Sequence, residues 1–384
     1  MQNVMNTAVK AADQRSNSAN EQRLKFAPDT TGFQRELRRR VQAVIRERGI
    51  RERDCPRMYF KTAVVLTVFA LSYYLLVFVA NSWWSAVPLA VLLGFAITQI
   101  GFNIQHDGGH KAYSRHAWVN KLMAMTLDLV GASSYIWRWK HAVFHHMYVN
   151  VAGHDTDIDL GGFGRLSPQQ PRRAIYRWQQ WYVWPLYGLM TIKWHFYDDF
   201  RDVIAGRMGA NRFPRPRGWD LVIFVGGKLV FFTLALGIPL LFHPLLTVLL
   251  FYVITIGVVG VVLSVVFQLA HAVEEARFPV PESGTGRMQE PWAVHQAGST
   301  VDFARDSRIV SWLVGGLNFQ IEHHLFPTIC HVNYPAISDV VERTCREYGV
   351  PYNAAPSFRA AVASHYRWLK HMGAAEEISR SRFD

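Results

Sequence analysis

Sixteen histidines occur in the chain, and seven of them fall into groups that metal chemistry would use. His106-Asp107-Gly108-Gly109-His110 places two imidazoles at i and i+4, one face of a helix, as ligation from a helix requires. His141-Ala142-Val143-Phe144-His145-His146 repeats that spacing and adds a third ring. On an α-helix His146 is turned about 100° from His145, so neighbouring rings could serve two different ions. Gln320-Ile321-Glu322-His323-His324 carries a second adjacent pair, with Gln320 three residues before His323 as a weak ligand or hydrogen-bond partner. His271 stands alone just past an apolar run. A lone histidine is ordinarily a satisfied core residue, so the grouping carries the information. A tetrahedral zinc needs four ligands, and eight neutral imidazoles point to two ions. Imidazole suits zinc, copper, iron or nickel, so ligand type leaves the metal open.

Other motifs fail on spacing. Asp155, Asp157 and Asp159 begin like an EF-hand loop, but Leu160 and Leu166 stand where that loop needs Gly and Glu. Gly161-Gly162-Phe163-Gly164 is neither a dinucleotide fingerprint nor a P-loop, and there is no G-x-S-x-G. Cys55, Cys330 and Cys345 form no C-x-x-C, which fits a reducing compartment. His116, His154, His295 and His331 adjoin the groups but break their spacing. His154 is placed to hold a ligand's other ring nitrogen together with Asp155 or Asp157.

The elements that must position these residues are membrane elements. Half the residues are hydrophobic and only 18% are charged, against about 25% in soluble proteins. Four apolar runs, about 62–80, 85–104, 220–242 and 245–267, are each long enough for a ~30 Å hydrocarbon core. They form two hairpins, turning at Asn81-Ser82-Trp83-Trp84 and Phe242-His243-Pro244 without Lys or Arg. The flanking segments are rich in both, which places them, the histidines and both termini in the cytoplasm. The net charge of +12 follows from that topology, and nucleic-acid binding is not needed to explain it. Lys228, inside the third run, calls for a partner, a snorkelling path or a substrate head group. The interrupted run 181–197 reads as an interfacial helix.

Outside the spans, residues 1–30 read as a disordered tail without a signal peptide. Residues 33–53 read as a basic amphipathic helix, Phe33, Leu37, Val41, Val44 and Ile45 forming its apolar side. It suits an anionic membrane surface or packing on its own domain equally. Residues 356–371 read as a last amphipathic helix with Phe358, Val362, Tyr366 and Leu369 on one face. The division is a tail and helix over 1–57, a membrane domain carrying the histidine groups over 58–355, and a C-terminal helix and tail over 356–384. The fold class is an all-α integral membrane protein, four transmembrane helices in two hairpins with a cytoplasmic helical cap around a dinuclear metal site.

Four spans with H-x-x-x-H, H-x-x-x-H-H and Q-x-x-H-H on one side resemble the membrane fatty acid desaturases over roughly residues 60–355. The likeness extends to Trp137-Arg138-Trp139-Lys140-His141, Gly153-His154-Asp155, His295-Gln296, Gly316-Leu317-Asn318-Phe319-Gln320, His324-Leu325-Phe326-Pro327 and His331-Val332-Asn333-Tyr334-Pro335. Gln320 in place of a histidine is similar to the linoleoyl-CoA or front-end branch, which adds a double bond between an existing one and the carboxyl end.

The resemblance implies a non-haem di-iron centre with His106, His110, His141, His145, His146, His271, His323 and His324 as ligands. It implies O₂-dependent removal of two hydrogens from adjacent methylenes of an acyl-CoA or acyl-lipid, giving a cis alkene and two waters. Gln320, Gln268, His154, Asp155 and Asp157 would lie around the ligands. Trp137, Arg138 and Lys140 would meet the substrate head group or anchor the membrane surface. Residues 1–57 read as too short and polar for a fused cytochrome b5 domain. A separate acidic donor, a cytochrome b5 or a ferredoxin, is therefore expected at the basic face. The membrane would be a bacterial inner membrane, or the endoplasmic reticulum in a eukaryote. A fatty acid, alkane or sphingolipid hydroxylase with the same metal architecture is the competing reading. A haem electron carrier would need paired histidines within the bilayer, and a zinc hydrolase would leave five of these histidines unexplained.

Overall fold

In the computed structural model, which describes residues 24–374, the apolar runs become helices, and the second and fourth helices outlast their runs. Helix α1 (Phe33–Glu47) precedes them. Pro56–Val79 (α2) and Trp83–Gly109 (α3) follow. Residues 134–148 (α4) and Gln179–Lys193 (α5) come next. Trp219–Leu240 (α6) and Leu245–His271 (α7) complete the set of four helices, among the described residues, long and apolar enough to cross a membrane. Apolarity marks where lipid lies, and backbone hydrogen bonding does not stop there. So α3 continues to Gly109 and α7 to His271, and the first histidine group and His271 ride on the ends of spans.

Close backbone approach fixes how these helices meet. A Cβ on Gly94 of α3 would lie 2.7 Å from the Thr255 carbonyl and 2.8 Å from Val258 Cβ of α7. Gly260 of α7 backs onto the Tyr187 carbonyl of α5 with no room for a Cβ. Helix α6 is the loosest of the four: 17% of its apolar window is buried, against 50% for α3. Its buried charge is paired, Lys228 Nζ donating to the Gly131 carbonyl and to Asp199, each at 2.7 Å. That pairing occupies Lys228 within the protein and leaves no head-group role for it.

Helix α1 packs on its own chain. Phe33, Leu37, Val41 and Ile45 are buried against Ile337, Val341 and Cys345 of Tyr334–Glu347 (α9, following the third-group helix Gln320–Leu325, α8). Burying such side chains is worth about 1.5–3 kcal/mol each, more than a membrane surface offers a helix already docked. Asp29 caps its start, accepting from the amides of Gly32, Phe33 and Gln34. The tail reading also fails over 24–30: Lys25 pairs with Arg287, and Phe26 packs on Tyr148 and His295. Residues 1–23 lie outside the described residues.

Two small sheets brace the non-spanning part. Arg207–Met208 (β1) pairs antiparallel with Asn211–Arg212 (β2), and Val301–Phe303 (β3) pairs parallel with Asn353–Ala355 (β4). The last helix, Phe358–Gly373 (α10), buries Ala361, Ser364, His365, Trp368, Leu369 and Met372. The expected face of Phe358, Val362, Tyr366 and Leu369 is thus rotated. Polar bonds decide the orientation: His365 Nδ1 donates to the Ala272 carbonyl (2.6 Å), its Nε2 accepts from Tyr187 (2.9 Å), and Ser364 bonds Glu275 (2.6 Å).

Candidate metal centre

Four segments distant in sequence deliver the imidazoles to one place. The ends of α3 and α7 supply His106, His110 and His271. Helix α4 supplies His141, His145 and His146, and α8 supplies His323 and His324. All eight are buried. Much of α4, Arg138–His145, is wound as a π-helix, whose i→i+5 bonds bring His146 as close to His141 as His145 is. Both ring pairs have centroids 5.0 Å apart. A second π-helical stretch, Ile100–Gln105, directly precedes His106.

The nitrogens sort into two overlapping groups. Ligand atoms of His106, His110, His141 and His323 lie within 4.8 Å of one another, and so do those of His145, His271 and His324. His146 joins them: its nitrogens group with those of His323 and His324, and its ring stacks on His324 at 4.2 Å. Among the described residues, Nε2 of His106, His110, His141, His145, His146, His323 and His324 has no hydrogen-bond partner. A buried polar atom without a partner is costly, and seven converging on one space fit metal ligation.

Four of the outer nitrogens are held. His145 Nδ1–H donates to Asp155 (2.9 Å), and His141 Nδ1 faces Asp157 at 3.4 Å. His324 Nδ1–H donates to Gln296 (2.8 Å), and His323 Nδ1 contacts the Tyr334 hydroxyl (3.2 Å). Each contact fixes the tautomer that turns the Nε2 lone pair inward. Burial, with the neighbouring imidazoles, holds His110, His146, His323 and His324 well below the ordinary histidine range. They are neutral, the form a metal requires. Burial also lowers His141 against the pull of Asp157. At His145 the Asp155 carboxylate outweighs burial and raises the ring.

Several neighbours differ from the sequence reading. Asp155 and Asp157 sit on the rings, but His154 does not: its Nδ1 meets Asn211 (3.2 Å) and its ring packs on Tyr148. Gly153, with φ 83°, turns the chain so that His154 faces the β1–β2 hairpin while Asp155 faces His145. Trp137 and Lys140 are drawn inward rather than toward a head group. The Trp137 ring lies 4.8 Å from His141 and 5.2 Å from His110, and Lys140 pairs with Asp157 at 3.0 Å. Arg138 alone of the three is exposed, over the Trp139 ring. Gln320 Nε2 is 2.8 Å from His271 Nε2, and Gln268 reaches the Asp157 carbonyl. Phe267 walls the site against His271 and His145. Sequence reasoning missed Gln296 and Tyr334 as ring partners. It also missed Asp107, whose carboxylate binds His331 (2.9 Å) while His331 meets Lys61 (3.2 Å).

Comparison with known proteins agrees with this geometry. The fatty acid desaturase family model matches residues 81–356. An sn-1 linoleoyl-lipid 6-desaturase of Synechocystis sp. is 36% identical over 355 residues, 92% of this chain and 99% of that one. Its counterpart in Arthrospira platensis is 37% identical over 89% of this chain and 92% of its own. An acyl-lipid (8-3)-desaturase of Physcomitrium patens is 37% identical over 88% of this chain and 71% of its own. With its histidines gathered as such chemistry demands and the match running through every one of them, the chain belongs to the fatty acid desaturase family.

Proposed function

We propose that this desaturase acts on an acyl chain carried by a membrane lipid, adding a cis double bond on the carboxyl side of an existing one. The observation that carries the reading is the set of seven unpartnered Nε2 atoms facing one enclosed space beside Gln320. The names of the relatives support the lipid-borne substrate and the front-end position.

His106, His110, His141 and His323 would hold one iron and His145, His271 and His324 the other, with His146 beside His323 and His324. Two irons so held would supply the O₂-dependent chemistry that removes hydrogen from two adjacent methylenes. The residues of the chain do the rest. Asp155, Asp157, Gln296 and Tyr334 orient the rings. Trp137 and Phe267 wall the space and exclude water. Gln320 holds His271 through its Nε2. Electrons come from a separate acidic protein meeting the basic face, and the histidine ends of the spans face the cytoplasm.

The test is a fatty-acid profile. The chain is expressed in a host of known lipids with a reducing partner, and new double bonds are located by mass spectrometry. His323→Ala is the control. The expected result is a new double bond nearer the carboxyl end, lost in the variant. A new hydroxyl group instead would establish hydroxylation, and purified protein without two irons per chain would overturn the di-iron assignment.

A further inference from the structure

Away from the histidines of the metal centre, the four spans line an open cavity of about 530 Å³. Its mouth lies at the turn ends of the helices, by Asn81, Ser82 and His243, and its floor is Leu129 and Val130. Between these its wall runs along α3 from Trp83 to Ile97, about 21 Å at 1.5 Å per residue, within a ~30 Å hydrocarbon core.

Four polar side chains of the wall already have partners. Tyr73 donates to the Leu234 carbonyl (2.8 Å) and Thr255 to the Ala90 carbonyl (3.3 Å). Tyr252 pairs with His195 (3.0 Å), and His243 Nε2 donates to the Val77 carbonyl (2.7 Å). Ordered water needs two to four polar partners, so the interior is suited to hydrocarbon. Empty, it would deprive its lining of dispersion contacts. The loosely packed α6 forms one wall, through Phe231, Leu234 and Ala235. The floor residue Val130 packs in one buried cluster with Ile100, Trp137 and Val259, and Trp137 in turn covers His106, His110 and His141. That layer separates the cavity from the metal centre.

We infer that this cavity is a resident-lipid site. It takes one acyl chain of a bilayer glycerolipid, ester and head group at the Asn81–Ser82 mouth, as a wedge between α6 and the other spans. The lipid is bound and not turned over. This needs only the four spans, so it stands or falls apart from the desaturase reading.

The test uses the full chain purified in mild detergent and washed, with bound lipid read by native mass spectrometry. Wild type is expected to keep about one glycerolipid per chain. Ala86→Phe and Ala235→Phe fill the cavity and are expected to lose it. Leu92→Phe, at an exposed position of α3 outside the lining, is expected to keep it. If the filled variants fail to fold, p-benzoylphenylalanine at Phe69 in otherwise unaltered protein is expected to form a photo-adduct of glycerolipid mass. No retained lipid and no adduct, or equal retention in the filled variants, overturns the site. Desaturation of the retained chain when reductant and O₂ are supplied also overturns it, because the cavity would then belong to the substrate path.

Discussion

Among single residues, the groups behind the rings matter as much as the rings. Asp155 is wholly buried, receiving His145 Nδ1–H and the backbone amides of Asn150 and Asp157. Asp155→Asn keeps the shape but turns a charged acceptor into a neutral amide that can present a donor to the ring. Such changes behind a ligand cost about 10–100-fold in metal affinity or activity. Iron per chain in protein purified against a competing chelator is expected to fall accordingly, with the helical content unchanged. The grouped histidines were legible because their spacing is local. Gln296 and Tyr334 were not, since each reaches its ring from another element and nothing in the sequence marks the pairing.

Helix α8 is too short to hold its own shape, and its position comes from neighbours. Asp302 accepts from the Ile321 amide (2.9 Å), and Tyr352, just before β4, touches both Asp302 (2.7 Å) and Glu322 (2.9 Å). One hydroxyl cannot donate to both carboxyls, so one of the two carries a proton. Burial, and next the charge of Asp302, raises Glu322 well above the ordinary range, and burial raises Asp302 as well. Tyr352→Phe strips both carboxyls of a shared partner and is expected to cost about 1–3 kcal/mol in denaturant unfolding, with iron lost more readily. On α10, burial lowers His365 to about 4. The unfolded ring takes a proton near 6.5, so stability falls as pH drops from about 6.5 toward 4 and levels off below, by on the order of 3 kcal/mol. His365→Gln cannot titrate, so its thermal midpoint is expected to fall less steeply than wild type over that window. Unchanged slopes would remove His365 from the acid response. Spans were legible in the sequence because lipid demands unbroken apolar runs. The α10 face was not, because two polar side chains turned it inward against the hydropathy pattern.

For the whole molecule, charge and length set the arrangement. The turns 80–82 and 241–244 carry neither Lys nor Arg, and the basic residues cluster beyond the opposite ends of the spans. A fluorescent protein fused at the C-terminus is expected to mature in the cytoplasm, and alkaline phosphatase inserted in the 241–244 turn to be active outside. The reverse pattern would overturn the orientation. Reduction by an acidic donor is expected to slow as salt rises from low ionic strength to 0.1 M, where screening acts over about 10 Å. The two ends of the spans also differ in how they would absorb a change in chain length. An extra residue in either turn only lengthens a connection. An extra residue inserted in α7 between Gly260, anchored on Tyr187, and His271 would swing that ring by about 100° and lift it about 1.5 Å. The same holds in α3 between Gly94 and His106. Insertions should therefore be tolerated at one membrane face and ruinous near the other, whatever residue is inserted.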